Sequence, residues 1–412
     1  MPQKKISSFK RVPVGIVVAL VALTAAISIS VSYQTAIRQT NAKLQDINER
    51  QAMFSKLSEI DTLARGVFYG EIDEEKLNEA LARGYADGLG DEQILYLDAE
   101  DAKAYQVYAE NAIEPICGIG AEVVQADDGA LRVVRVYDGS GAQEAGLLVG
   151  DEITGINGKE TAGLAYSAAW SSLNQPEGTE IELTVRRGSA EKTETQSLSL
   201  QVTCSNFKAQ TVSASVLDKN VGYLSIARLR SETGKELESS LNTLREQGAA
   251  AWVIDLRGCV GTDESAAAAV ADLLLGTVDT VRAENRSGEI ETLRQSDEKA
   301  IEGKVVCLVD GETSGTAEVL AGALQDAGCT VVGQTTAGNA VRTTFSRLSD
   351  GSGIVLPVGY YVRADGSRIS GTGVTPDTAA ELNEEQTRAR RYGKLDLKQD
   401  TQVQQACQAA LE

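Results

Sequence analysis

The sequence predicts a multidomain chain of mixed α/β and β structure. An N-terminal transmembrane helix leads into a helical segment, then a small β-rich domain, then a βαβ-type core whose sheet is covered on both faces. Three observations predict this. The run Val12 to Val31 carries no charged side chain. Near Cys117 the composition changes to short β-rich runs between glycine turns (GIGAEVV, LRVVRVY, IELTVRR). From Val221 onward, apolar strand-like runs alternate with stretches of helical spacing. The expected divisions are 1–33, 34–112, 113–190, 191–385 and 386–412.

Lys4, Lys5, Lys10 and Arg11 precede the uncharged run. Twenty such residues in a helix reach about 30 Å, the thickness of a bilayer's hydrocarbon core. Basic residues on the N-terminal flank place that end in the cytoplasm and the bulk of the chain outside it. A cleaved signal peptide is the rival reading, but no A-x-A site follows and a signal's apolar region is usually shorter.

Leu44, Ile47, Phe54, Leu57 and Ile60 then recur at helical spacing. They suit a stalk, a coiled-coil homodimer contact, or an amphipathic helix docked on its own domain. Helical, acidic sequence continues to about residue 110, including Glu74 to Gly88 and Asp98 to Tyr105. At the other end of the chain, the tail after Glu381, with its run Thr387-Arg388-Ala389-Arg390-Arg391, reads as helical and on the surface.

Composition excludes several chemistries. Lys and Arg total 39 against 59 Asp and Glu, a net charge of −20, and such a chain lacks the basic face that nucleic acid needs. There is no histidine, so neither a Ser-His-Asp or Cys-His site nor a histidine-ligated zinc can form. The six cysteines (117, 204, 259, 307, 329 and 407) include no CxxC pair, which argues against a thiolate metal cage. No metal or other cofactor is expected.

Between residues 117 and 188, Gly118-Ile119-Gly120 precedes a strand over Ala121–Val124. The run AGLLVGDEITGING (Ala145–Gly158) follows, then a helix over Leu164–Leu173 with Tyr166 and Trp170, then a last strand. This segment resembles a PDZ domain. The resemblance implies that an extended peptide adds to a sheet edge, its terminal carboxylate held by backbone N–H groups of Gly118, Ile119 and Gly120.

After Val221, VGYLSIARL reads as a strand, Ser231–Gln247 as a helix and AAWVIDLRG as a buried strand. A helix at Asp263–Leu275, the strand VVCLVD, a helix at Thr316–Ala327 and the strand TVVGQ complete the alternation, which predicts a parallel, right-handed βαβ sheet. Four fragments punctuate it: VIDLRG with Val260-Gly261-Thr262, VDGETSGTAE (Val309–Glu318), VGQTTAGN (Val332–Asn339) and GTGVTPD (Gly371–Asp377). In this order around a PDZ-like module, they resemble the C-terminal processing peptidases, or tail-specific proteases, over roughly residues 55–380. The likeness includes ARGYADGLGDEQILYL (Ala82–Leu97).

That resemblance implies a serine nucleophile opening a helix, a neutral lysine as general base, and two backbone N–H groups stabilising the oxyanion. Counting back three from Glu318 puts the nucleophile at Gly315. Counting forward 25 residues to the lysine position at Asn339 puts it at Ser314. Ser314 is the candidate, since glycine has no nucleophile to offer; an N-cap serine is the competing role. The lysine position holds Asn339, whose amide is no base near neutral pH, and the glutamine position holds Thr343. The oxyanion role maps onto the N–H groups of Gly261 and Gly315. No lysine lies between Lys304 and Lys394; Glu318 and Lys304 are the remaining candidates for a base, Lys304 at the wrong strand end. Two functions stay open: a membrane-anchored extracytoplasmic serine-type peptidase acting on protein or peptide C-termini, and a non-catalytic relative that binds such tails or regulates a partner.

Overall fold

The computed structural model describes residues 51–412, apart from 92, 112–116, 127, 165, 189–194, 208–209 and 298–300. The Val12–Val31 run, Leu44 and Ile47 lie outside the described residues. Among the described residues no helix is long and apolar enough to cross a membrane. The chain divides into two compact units, one ending at Asn78 and the other spanning Glu79–Glu412. In the first, a helix covers residues 51–67, and Phe54, Ile60 and Leu63 on it are exposed.

In the second unit, the β-rich domain is an antiparallel sheet in the order Ala121–Gln125, Leu131–Val136, Glu152–Ile156, Glu180–Arg187, Gln196–Thr203. Alternation along Glu180–Arg187 turns Ile181, Leu183 and Val185 inward, where they meet Ile119, Val133, Ile153 and Leu173. Helix Tyr166–Leu173 closes the domain, and Ala121–Gln125 is an edge strand.

The core is a six-stranded sheet in the order Val212–Leu217, Val221–Ile226, Ala251–Asp255, Val305–Val309, Thr330–Gly333, Thr378–Ala379. Only the first pair is antiparallel. Strands buried on both faces read as continuous apolar runs, as VIDL and VVCLV do. Leu224, Ile254 and Cys307 face helices Thr233–Glu246, Glu264–Leu274 and Thr316–Asp326. Tyr223, Val253 and Val306 face helix Thr401–Leu411 on the other side. The surface position expected for the tail does not hold for this last helix. Val403, Ala406 and Ala410 are buried on the sheet, and the polar sequence around them hides the narrow apolar stripe.

Two further features differ from the expectation. Within the stretch that reads as continuously helical, Leu95–Leu97 is a strand that pairs with Gly353–Tyr361 in a separate five-stranded antiparallel sheet. Each of three parallel core strands is also followed by a two-residue strand. Arg228–Leu229, Val260–Gly261 and Ser314–Gly315 together make a small parallel sheet beyond the C-terminal ends of the main one. Ligand sites in open α/β sheets form at these ends.

Candidate active site and peptide groove

The turn before Ser314 is pinned by Asp310. Its Oδ1 accepts the N–H groups of Gly258 (2.9 Å), Glu312 (3.1 Å) and Thr313 (3.1 Å), and its Oδ2 pairs with Arg390 at 2.8 Å. Thr313 Oγ1 donates to the Leu256 carbonyl at 2.8 Å, and Ser314 N–H donates to the Cys259 carbonyl at 3.0 Å. The small sheet then sets Val260 opposite Ser314 and Gly261 opposite Gly315.

The N-cap of helix Thr316–Asp326 is Gly315, not Ser314, with φ 67° and ψ −134°. A Cβ there would stand 2.1 Å from the Gly261 carbonyl oxygen, so the close pairing and the positive φ both require glycine. At Gly261 a Cβ would lie 2.3 Å from Thr316 Oγ1, a buried hydroxyl with no hydrogen-bond partner among the described residues. Local sequence does not signal this demand for two facing glycines, because it arises from a long-range strand pairing.

Glu318 is fully buried one turn into the helix. Its Oε1 accepts from Thr336 Oγ1 at 2.5 Å and Gly338 N–H at 2.6 Å. Its Oε2 accepts from Asn339 N–H at 2.8 Å and Gly315 N–H at 3.1 Å. Burial raises its pKa above the ordinary carboxylate value, although these four donors pull the other way. Both oxygens are occupied, so Glu318 joins the helix start to the Thr336–Asn339 loop rather than standing ready for a proton. The Gly315 N–H, assigned an oxyanion role by the resemblance, is in turn taken by Glu318 in this conformation.

Asn339 is exposed on that loop, and Thr343 is exposed on strand Val341–Arg347 beside a register shift against Gly353–Tyr361. Lys304 immediately precedes strand Val305–Val309, at the end of the sheet opposite the small strands. Cys259, in the turn before Val260, is buried, and burial pushes its thiol up to about 12, so it offers no thiolate near neutral pH. A cavity of about 440 Å³ opens at the strand ends between Gly258, Val260, Gly311 and Gln334 and the PDZ-like sheet. The cationic side chains lining it are arginines. Arginine stays protonated in proteins and cannot act as a base.

The PDZ-like domain meets the core through Glu122, buried between Arg230 (2.7 Å) and Arg228 (3.2 Å), with Tyr137 Oη donating to it at 2.6 Å. Burial alone would raise the Glu122 pKa, but the two guanidiniums and the tyrosine hold it below the usual range. In the Gly118–Gly120 loop, Gly120 has φ 79° and a Cβ there would strike Ser140 at 2.1 Å. Ile119 N–H donates to the Leu173 carbonyl at 3.0 Å. Gly118 is held against Asn174 and Leu173.

A model of Peptidase family S41 matches residues 220–380, which hold the core sheet, the small sheet and the Glu318 network. A PDZ-domain model matches residues 132–187, leaving out the glycine loop that the structure places in the same domain. Residues 220–380 are a Peptidase family S41 domain. The carboxy-terminal processing protease CtpA of Bacillus subtilis is similar to this chain at 28% identity over 331 residues, covering 80% of the chain and 69% of that protein. The carboxyl-terminal-processing protease of Synechocystis sp. is 30% identical over 268 residues, covering 65% of the chain and 63% of its own length. The fold of the chain is shared with the photosystem II D1 C-terminal processing protease, with a TM-score of 0.59 and 22% identity, over 81% of the chain and 90% of that structure. These relatives are named C-terminal processing proteases.

Proposed function

We propose that this S41-family protein recognises the C-terminal tails of exported proteins through its PDZ domain, held to a membrane by the Val12–Val31 helix, with its bulk outside the cytoplasm. In this reading it binds tails without hydrolysing them by the family dyad. One observation carries the reading: the loop that should present a basic amine presents Asn339, and its backbone is tied to Glu318, a carboxylate already holding four donors. A serine hydroxyl needs a neighbouring acceptor for its proton, and an amide is not one. The exposed Phe54, Ile60 and Leu63 of the membrane-proximal helix fit a homodimeric coiled-coil contact in the same reading.

A second reading is a serine-type peptidase with an altered dyad, in which Ser314 attacks. The names of the relatives and the place of Ser314, two residues before the helix, favour it. One experiment separates the two. The full chain in detergent is incubated with unstructured peptides of varied C-termini, and products are read by mass spectrometry. Binding without cleavage is the expected result. Cleavage that disappears in Ser314→Ala overturns the binding-only reading. The topology is tested by adding protease to intact cells: digestion of the bulk from outside is expected, and full protection sinks the assignment.

A further inference from the structure

The PDZ groove lies between the edge strand Ala121–Gln125 and helix Tyr166–Leu173, and in this chain it is occupied. Tyr166 Oη donates to the Val123 carbonyl at 3.0 Å, and Gln125 Nε2 donates to the Leu164 carbonyl at 3.0 Å, so two hydrogen bonds cross the gap where an added strand would run. The Ile119 N–H, one of the groups that would hold a terminal carboxylate, is bonded to Leu173. Phe207, just beyond the short strand Ser205–Asn206, is buried there with Tyr137 and Trp170, and Tyr166 packs on the group. Its ring stacks on Tyr137 with centroids 5.1 Å apart and planes 21° apart. A Cβ on Gly120 would come within 3.2 Å of Phe207 Cδ1, so the ring sits directly on the glycine of the carboxylate loop. A PDZ domain receives the last side chain of its peptide beside that loop.

Resting on the tail-binding reading above, we infer that Phe207 is an internal occupant of the groove, standing in for the final side chain of a tail, and that the tails admitted are those ending in a free-carboxylate aromatic residue. The pocket itself selects aromatic chemistry. Tyr137 supplies a ring face that rewards a stacked ring beyond its buried area, and Trp170 lines the same buried cluster, so an alanine-sized terminus would leave a void. To bind, the tail displaces Phe207, takes over the Val123 carbonyl from Tyr166, and meets the loop N–H groups. Binding is therefore weakened by the fraction of molecules in which Phe207 is seated.

The test is fluorescence anisotropy on the full chain in detergent, with labelled unstructured peptides ending in Phe-carboxylate, Phe-amide or Ala-carboxylate. Phe207→Ala should bind the Phe-carboxylate peptide about tenfold more tightly than the unaltered chain, the amide peptide should bind neither protein, and the Ala peptide should bind about tenfold more weakly. Tyr166→Phe keeps the ring and loses only the hydroxyl clamp. It should also tighten binding, and it decides the matter if thermal melting shows that Phe207→Ala does not fold. Equal affinity of the unaltered chain and both variants overturns the internal occupant while leaving tail recognition standing. Equal affinity for Phe- and Ala-ended peptides overturns the aromatic class. Binding of no free-carboxylate peptide by any of the three proteins overturns tail recognition itself.

Discussion

The carboxylate of Glu318 accepts the backbone N–H of Asn339 at 2.8 Å, joining the first turn of a helix to the Thr336–Asn339 loop. The same carboxylate holds Gly315, Thr336 and Gly338. The geometry of the whole site therefore depends on one buried anion.

Replacing that anion tests the dependence. Glu318→Gln keeps the shape but offers one acceptor oxygen and two new N–H groups to four donors. Leaving buried donors unpaired costs about 1–3 kcal/mol each, so a loss of about 3 kcal/mol is expected. It should be visible as a lower urea midpoint at unchanged slope, with faster hydrogen exchange at Gly338 and Asn339.

Restoring a serine where the Glu318 count places the nucleophile should not restore a peptidase. A side chain at Gly315 meets the Gly261 carbonyl at 2.1 Å and must hold φ at 67°. Gly315→Ser is expected to destabilise the chain by about 1–3 kcal/mol, measured by thermal unfolding. Gly315→Ser combined with Asn339→Lys is expected to leave peptide turnover at background in a mass-spectrometric assay.

The Glu122 pairing predicts acid sensitivity of the joint between the PDZ domain and the core. Its folded pKa is held below the ordinary 4.5, so the folded state keeps the carboxylate ionised to lower pH than the unfolded chain does. The stabilisation is fully present above that ordinary value and is lost as pH falls through the lower folded one. Denaturant unfolding followed from pH 7 to pH 3 should show this loss, and Glu122→Gln should flatten the slope. An unchanged slope in the variant would show that other carboxylates control the acid limb.

Arg257 lies at the end of strand Ala251–Asp255, bonded to Asp255 at 2.6 Å, to Asp400 at 2.8 Å and to Gln402 at 2.8 Å, all buried. It fixes the start of the C-terminal helix Thr401–Leu411 to the sheet. Arg257→Ala strands two buried carboxylates and is expected to cost about 3–5 kcal/mol in denaturant unfolding. The same variant should expose the helix to limited proteolysis.

Much of this fold is legible locally. The uninterrupted apolar runs around Val253 and Val306 announce strands covered on both faces, and Asp263 announces the helix it caps. The glycines at 118 and 120 mark the turn that leads into strand Ala121–Gln125. The helix holding Val403, Ala406 and Ala410 is harder to read, because glutamines dilute its apolar stripe and its burial depends on a sheet whose strands begin nearly two hundred residues earlier in the chain. Leu95–Leu97 is too short to show a period, and its partner is Gly353–Val355.

The inventory of chemistry follows from composition and order alone: no imidazole anywhere, no lysine amine between Lys304 and Lys394, an amide at Asn339, and the glycine turns of a PDZ-like segment. Such statements hold without coordinates because a missing functional group cannot be supplied by folding. What the groups that are present do is a property of the folded chain. Whether Glu318 is free to take a proton, whether Gly315 can carry a side chain, and whether Phe207 lies in the groove or outside it all depend on contacts between distant segments. Those contacts are set by packing and hydrogen-bond geometry and leave no trace in local sequence.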